Sequence, residues 1–246
     1  MSSNAVIVHR DPDHLAEAAA ARIADIIGAA ATGSPGGRVS LGLAGGSTPA
    51  STYSRLRTAP VDWQQVDAWM SDERWVPHQH EDSNGRVAAE LLMDHVPARF
   101  MRPRWAAWLT AGDSAAHYEA ELRSVHPDGR SHLILLGMGD DGHTASLFPG
   151  TEALDAPAHR WFVANEVPQL NTDRLTATYR FIRQAHDVMV LVAGGNKAPA
   201  LRQVLEPVEG EPILPATGVM GGEAAVTWMI DEAAAAELSQ ATLTSP

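Results

Sequence analysis

One segment, residues 132–150, constrains the fold of this chain more than any other. It begins with a continuous apolar run, LILLG, which is the pattern of a strand buried on both faces in a parallel sheet. The run ends in glycines interleaved with two aspartates and a histidine, and small residues suited to opening a helix follow. Because ligands of open α/β sheets bind beyond the carboxyl ends of the strands, the segment predicts a ligand site. A plain Gly- and Asp-rich turn is the competing interpretation.

Apolar strand-like runs and helical patterns alternate along almost the whole chain, which is typical of βαβ units joined by right-handed crossovers. We therefore predict an α/β fold, a Rossmann-like doubly wound sheet that is mostly parallel and has helices on both faces. No internal repeat or long linker divides the chain, so a single domain over residues 1–246 is expected, with a strand order that the sequence does not determine. Strands are predicted at residues 5–9, 39–44, 66–70, 132–136, 160–164, 187–193 and 225–230, and helices at residues 12–30, from residue 47 onward, at 84–95 and at 113–125.

The sequence also predicts the local structure of two further segments and at two single residues. Residues 32–37 and 71–83 are polar or glycine-rich and are expected to form loops. Arg174 is expected to begin a short amphipathic stretch. Asp231 is expected to cap an alanine-rich terminal helix.

The composition narrows the classes of partner and of chemistry. With 18 basic against 30 acidic residues, the formal charge of −12 disfavours binding to nucleic-acid phosphates. The chain has no cysteine, which excludes disulfides, thiolate nucleophiles and zinc–thiolate sites. No apolar run approaches the roughly 18 residues of a membrane span, and the first residues lack the pattern of a signal peptide. A cytoplasmic protein without membrane or nucleic-acid partners is expected, and local cations must capture any anionic ligand.

Residues 45–49, GGSTP, follow a predicted strand and open a helix. Gly45 and Gly46 allow backbone N–H groups to approach a ligand, and the helix N-terminus favours an anion. Ser47 and Thr48 add two hydroxyl groups. The segment is neither a G-x-G-x-x-G fingerprint nor a Walker A loop, which disfavours dinucleotides and nucleoside triphosphates. Anion binding and a simple capping turn are both consistent with this pattern.

Residues 71–77, SDERWVP, place two carboxylates beside a guanidinium just after another predicted strand. Arg74 next to Asp72 can keep the acid ionised and hold it in one orientation. A solvated charged loop is the competing interpretation, but the position at the same sheet edge as the glycine-rich loops favours a site. Two histidines and a glutamate follow in residues 78–81, and because no second cluster completes a metal site around them, no metal is predicted.

His143 is the strongest catalytic candidate, because histidine exchanges protons near neutral pH and serves as a general base and acid. Asp141, two residues earlier, is a candidate for orienting the imidazole. Lys197 follows two glycines at the start of a predicted helix, where a lysine opposes the helix dipole unless an anion lies there. Arg174 can grip a phosphate through two hydrogen bonds, with an ordinary surface arginine as the competing interpretation.

Four of these segments together resemble the motifs of the 6-phosphogluconolactonase family and follow in its order: residues 45–49, 71–77, 137–149 and 194–198. The resemblance implies hydrolysis of 6-phospho-D-glucono-1,5-lactone to 6-phosphogluconate, the second step of the oxidative pentose phosphate pathway. It implies no required cofactor and no obligatory protein partner. By this resemblance His143 is the catalytic histidine, and Asp72 and Arg74 are the acidic and basic pair of the active site. The implied substrate contacts are Gly45, Gly46, Ser47, Thr48, Arg174 and Lys197, the last two near the phosphate.

The sequence departs from the family pattern in two places. Asp140 stands where glutamate is usual, and residues 178–181 replace an apolar segment that usually follows Arg174. The second departure makes Arg180 an alternative phosphate ligand.

Two rival functions are open at this point. Glucosamine-6-phosphate deaminases share the fold and the Asp-Gly-His element, but their counterpart of residues 72–77 looks different. A non-catalytic sugar-phosphate sensor would carry a DNA-binding module, for which this chain has no spare segment or basic helix. Lactone hydrolysis fits the residues without a nucleophilic serine, because His143 can take a proton from water and return it to the ring oxygen. Arg74 or backbone N–H groups would stabilise the oxyanion.

Overall fold

Ten strands form two sheets in the computed structural model, which describes residues 4–33 and 37–243. The strands are β1 (Asn4–His9), β2 (Val39–Leu43), β3 (Val66–Met70), β4 (Asp72–Arg74), β5 (Arg99–Met101), β6 (Leu133–Gly137), β7 (Phe162–Val167), β8 (Thr172–Ala177), β9 (Asp187–Val192) and β10 (Ala225–Asp231). The helices are α1 (Pro12–Gly33), α2 (Ser47–Leu56), α3 (Asn84–Leu91), α4 (Ala111–Val125), α5 (Tyr179–Ile182), α6 (Ala198–Leu205) and α7 (Gln240–Leu243).

The large sheet has the strand order β1-β10-β9-β6-β2-β3-β5, and its pairs are parallel. From β2 the chain moves outward to β3 and β5, crosses back to β6 on the other side of β2, and then moves outward through β9 and β10. The direction of winding therefore reverses between β2 and β6. The predicted doubly wound α/β fold is confirmed, and the loops that follow β2 and β6 flank its switch point, where such sheets bind ligands.

Helices cover both faces of this sheet, which explains the unbroken apolar character of its strand β6. Leu133 and Leu135 of β6 pack in the core cluster formed with α1, α2 and α3. Ile134 and Leu136 point the other way, into the cluster formed with α4 and α6. All four side chains are fully buried. Since successive residues of a strand face opposite sides, a strand covered on both sides needs apolar residues at every position.

The helix that the sequence predicts directly after β6 does not form. Residues 138–150 make successive turns instead. Gly142 (φ 75°) and Ala145 (φ 48°) adopt left-handed backbone conformations, which interrupt an α-helix. The segment therefore stays irregular at the carboxyl edge of the sheet, beside the switch point.

The small sheet, β4-β8-β7, is antiparallel and was not expected from the sequence. Strand β4 lies inside residues 71–83, which the sequence predicts as loop. The strand predicted at 160–164 is present as β7, but it belongs to this sheet and not to the parallel one. Arg174 lies within β8, so the amphipathic stretch predicted from it is wrong. The reason is that Leu175, Thr176 and Ala177, which follow Arg174 in this strand, are all fully buried, so this stretch has no polar, exposed face.

The C-terminal segment differs in part from the prediction. Asp231 Oδ1 accepts a hydrogen bond from the Ala234 N–H at 2.8 Å, as a cap does. Residues 232–237 nevertheless form turns, and the next helix, α7, begins only at Gln240. Of the loop predicted at 32–37, residues 32 and 33 end α1, and residues 34–36 lie outside the described residues, as do residues 1–3. Within the described part of the chain, no helix is both long and apolar enough to cross a bilayer.

Candidate active site

The loops after β2, β6 and β9 meet strand β4 around a cavity of about 230 Å³ at the carboxyl edge of the parallel sheet. These three loops are far apart along the chain and are brought together in the fold, as expected at a switch point. Of the candidates named from the sequence, those that line the cavity are Gly45, Gly46, Ser47, Thr48, Asp72, Arg74, His143 and Lys197. Asp141 and Arg174 do not line the cavity themselves. Asp141 is hydrogen-bonded to the lining residue His143, and Arg174 is the register partner of the lining residue Arg74. Arg180 and Asp140 are exposed and do not line it.

His143 is held by Asp141 through two hydrogen bonds. Asp141 Oδ1 lies 2.6 Å from the ring Nδ1 and accepts the backbone N–H of His143 at 3.0 Å. With the ring hydrogen on Nδ1, Nε2 is the atom left to accept a proton. Burial opposes ionisation of Asp141, but the hydrogen bonds from His143 outweigh it and lower the pKa of this carboxyl below its ordinary value. The ring of Phe148 stacks on the imidazole at 4.1 Å and limits its rotation.

Two glycines make this arrangement possible. A Cβ on Gly139 would collide with the His143 ring and with Asp141 Oδ1. Gly142 lies between the two partners with φ 75°, a conformation that a residue with a Cβ rarely adopts. The Asp-to-His hydrogen bonds therefore depend on the glycines that the sequence places around them.

Asp72 and Glu73, adjacent in β4, have separate roles because successive residues of a strand face opposite sides. Asp72 is buried and lines the cavity. Its Oδ2 accepts a hydrogen bond from the Ser146 hydroxyl at 2.7 Å. Asn84 Nδ2 donates to the Asp72 carbonyl at 3.2 Å, and its side chain packs where a Cβ on Gly45 would be. Ser146 and Asn84 carry functional contacts that the sequence reasoning did not single out.

Glu73 caps the N-terminus of α3. Its carboxylate accepts the backbone N–H groups of Asn84 and Gly85, each at 2.7 Å, and the Ser83 hydroxyl at 3.1 Å. Burial raises the pKa of Glu73, although these N–H donors pull in the opposite direction. The glutamate therefore fixes the end of the loop and does not face the cavity.

The Arg74 guanidinium forms no ion pair with a carboxylate of the described residues, contrary to the expectation from residues 71–77, although the Arg74 backbone N–H donates to Glu73 Oε1 at 2.7 Å. Arg74 faces Arg174 across the antiparallel pair β4–β8. The Nε atoms of both arginines are buried and find no hydrogen-bond partner among the described residues. Burial lowers the pKa of Arg174, and the neighbouring charge of Arg74 lowers it further. Two unpaired guanidinium groups side by side favour an anion at this position.

Two helix N-termini supply further donors to the cavity. Gly46 (φ 98°) precedes α2, and none of the described side chains caps this helix, so N–H groups of its first turn can meet an anion. Gly194, also with φ 98°, precedes the turn Gly195–Lys197 and α6. Asp231 fixes this loop by accepting the Gly194 N–H at 3.0 Å. The Lys197 ammonium lines the cavity and forms no ion pair with a described residue.

The arrangement combines a histidine with a free ring nitrogen, a buried carboxylate, and two cavity-lining cations, Arg74 and Lys197, that form no ion pair with any described residue. Arg174 is the register partner of Arg74. A family model for glucosamine-6-phosphate isomerases/6-phosphogluconolactonase matches residues 10–228 of the chain. The chain belongs to this family. A 6-phosphogluconolactonase from Nostoc sp. is 37% identical over 210 residues, which cover 82% of this chain and 86% of that protein. One from Streptomyces coelicolor is 33% identical over 253 residues, which cover 95% and 94%.

The same family relationship is visible in three dimensions. The solved structure of 6-phosphogluconolactonase from Trypanosoma brucei matches with a TM-score of 0.85 at 28% identity. The match covers 97% of this chain and all of that structure. The fold is therefore shared over nearly the whole length of both chains.

Proposed function

We propose that the protein hydrolyses 6-phospho-D-glucono-1,5-lactone to 6-phospho-D-gluconate, the second step of the oxidative pentose phosphate pathway. The observation that carries the proposal is the free Nε2 of His143 beside a cavity with unpaired cations, in a chain of this family. A phosphorylated lactone needs both features, an acid–base group at its carbonyl and cations for its phosphate. Because a phosphate ester is too polar to cross a bilayer unaided, we place the reaction in the cytoplasm.

Substrate capture is assigned to the cationic part of the cavity. Lys197 and Arg174 hold the phosphate, together with the free N–H groups at the start of α2. Gly46 leaves the backbone open to the ligand, and the hydroxyls of Ser47 and Thr48 add hydrogen bonds. The net charge of −12 makes these local positive groups necessary, since the protein as a whole repels an anion.

Hydrolysis is assigned to His143. Its Nε2 accepts a proton from a water molecule whose oxygen forms a bond with the lactone carbonyl carbon, and the carbonyl oxygen becomes an oxyanion. Asp141 stabilises the imidazolium that results. When the intermediate collapses, the bond to the ring oxygen breaks, and His143 returns the proton to that oxygen, which becomes the C5 hydroxyl. Arg74, which lines the cavity, stabilises the oxyanion. Asp72 accepts a hydrogen bond from a sugar hydroxyl and thereby orients the lactone carbonyl toward His143 for the reaction.

A hydrolysis assay with freshly generated 6-phosphogluconolactone, corrected for spontaneous hydrolysis, tests the proposal. We expect accelerated release of 6-phosphogluconate in proportion to protein concentration. The parallel assay supplies glucosamine 6-phosphate and measures ammonia. Ammonia release at enzymatic rates without lactone hydrolysis would replace the lactonase by a deaminase.

A further inference from the structure

Ser146, in the loop that carries His143, ties this loop to all three strands of the small sheet. This side chain is 1% exposed, and all of its polar atoms are used. Its hydroxyl donates to Asp72 Oδ2 at 2.7 Å, its N–H donates to Thr176 Oγ1 at 3.2 Å, and its carbonyl accepts Asn165 Nδ2 at 2.8 Å. The loop therefore contacts one residue on each strand of the sheet.

The small sheet is a rigid frame for these contacts. Asp72 and Thr176 are register partners in the β4–β8 pair, so the two groups that Ser146 contacts there are fixed relative to each other. Asn165, on β7, also donates to Thr151 Oγ1 at 2.9 Å and accepts the Ala153 N–H at 3.3 Å. These bonds fix the far end of the same loop.

The contact with Ser146 leaves Asp72 with one oxygen for the cavity. Oδ2 is occupied by the serine hydroxyl, whereas Oδ1 accepts no hydrogen bond from the described residues. Asp72 lines the cavity and Ser146 does not. The hydroxyl thus selects which carboxylate oxygen is presented to a ligand. Ala145, the preceding residue, is held at φ 48°, a strained value that persists only where neighbouring contacts enforce it.

We propose that Ser146 is a positioning residue that orients the Asp72 carboxylate and fixes its place relative to His143. The inference rests on the proposed lactonase function. Without the hydroxyl, the carboxylate rotates and both of its oxygens compete for the same cavity. Supporting contacts of this kind set the geometry of reacting groups, and their loss costs roughly 10–100-fold in activity.

The first test compares Ser146→Ala with Ser114→Ala. Ser114 is also fully buried, and its hydroxyl donates to the Arg104 carbonyl at 2.7 Å, away from the cavity. Both variants lose one buried hydrogen bond, so a similar loss of thermal stability is expected. Only Ser146→Ala should lower kcat, roughly 10–100-fold, with little change in KM. An unchanged kcat in folded Ser146→Ala would overturn the proposal.

The second test is a double-mutant cycle with Asp72→Asn. If Ser146 acts through Asp72, the change Ser146→Ala should cost less than about twofold once Asp72 is replaced. Losses that multiply in the double variant would show that Ser146 acts independently of Asp72. Ser146→Cys, which fills the same space with a poor donor, replaces the alanine variant if that one does not fold. Failure of both to fold would assign Ser146 to stability alone and overturn the proposal, whereas an inactive wild-type protein would overturn the lactonase function instead.

Discussion

Arg74 and Arg174 are register partners across the antiparallel strands β4 and β8, so two like charges are held side by side with their Nε atoms buried and unpaired. Such an arrangement costs free energy in the unliganded protein and is relieved by a bound anion. Asp72 lies two residues before Arg74 on the same strand and therefore on the same face. The strand pair thus presents the Asp72 carboxylate and the Arg74 guanidinium to one cavity, with Arg174 directly beside Arg74.

Replacing Arg174 by methionine should weaken substrate binding without destabilising the unliganded protein. Loss of one charge-assisted contact of about 1.5–3 kcal/mol predicts a roughly 10- to 150-fold higher KM for the phosphorylated lactone. The melting temperature without ligand should stay the same or rise, because the repulsion from Arg74 is removed. Steady-state kinetics and thermal denaturation, with and without inorganic phosphate, measure both effects.

Arg180→Met is the matched control for this prediction. Arg180 is exposed on α5 and does not line the cavity, so neither KM nor kcat should change. A raised KM in Arg180→Met with a normal KM in Arg174→Met would transfer the phosphate contact to Arg180.

Replacing His143 by asparagine should remove the general base. We expect kcat to fall roughly 10²–10⁴-fold, the usual contribution of a positioned acid–base group, in a protein that still folds. His95→Asn is the control, because His95 is exposed and its Nε2 contacts only the Glu90 carbonyl at 2.9 Å. Full turnover by folded His143→Asn would reject the assignment.

Replacing Lys197 by alanine should affect capture more than chemistry. The phosphate lies several bonds from the carbonyl under attack, so its contact is similar in the ground and transition states. We expect KM for the phosphorylated lactone to rise roughly 10- to 150-fold while kcat is preserved. Unphosphorylated gluconolactone is the internal control, since it offers no anion to the lysine. Equal losses on both substrates would mean that Lys197 supports the fold or the reaction.

The parallel sheet could be predicted from the sequence because its central strands β6 and β9 are almost continuous apolar runs that are buried on both faces. Leu133 to Leu136 carry that signal by themselves. Strand β4 has only three residues and two of them are acids, so its local composition resembles a loop. Its partner β8 begins about 100 residues later along the chain, and pairing over such a distance leaves no local pattern.

The site was accessible to sequence reasoning only where its parts are local. His143 and Asp141 are two residues apart, and the glycines around them are visible as a motif. Ser146 and Asp72 are 74 residues apart and are brought together by the small sheet. The sequence therefore indicated the Arg74 guanidinium as the partner of the Asp72 carboxylate, whereas in the structure this partner is the Ser146 hydroxyl.

A cluster of histidines at the opposite edge of the parallel sheet predicts a loss of stability in mild acid. The Ser40 N–H donates to His132 Nδ1 at 3.1 Å, and the Ser40 hydroxyl contacts His126 Nε2. Because His126 Nδ1 bonds the Leu122 carbonyl at 2.7 Å, Nε2 is the acceptor of that ring. Both imidazoles therefore fit their partners in the neutral form. Burial lowers the pKa of His126 and of His132, and His186 lowers that of His132 further.

The sign of the effect follows from proton binding. A histidine whose pKa is lowered by folding binds fewer protons in the folded than in the unfolded state once the pH falls below its ordinary pKa of 6.5. The free energy of unfolding should therefore be nearly constant above about pH 7.5 and should fall between about pH 6.5 and 5.5. Urea denaturation at intervals between pH 8 and 5.5 measures this slope, before most carboxylates titrate.

His132→Gln isolates the contribution of one ring. Glutamine keeps an acceptor for the Ser40 N–H but does not titrate. The free energy of unfolding of the variant should therefore depend less on pH than that of the wild-type protein, whatever its value at pH 8. His95→Asn, at an exposed position, should leave the slope unchanged. Identical slopes in His132→Gln and the wild-type protein would show that His132 does not couple folding to protonation, and the acid sensitivity would then rest on the other histidines whose pKa burial lowers, His126 and His9 among them.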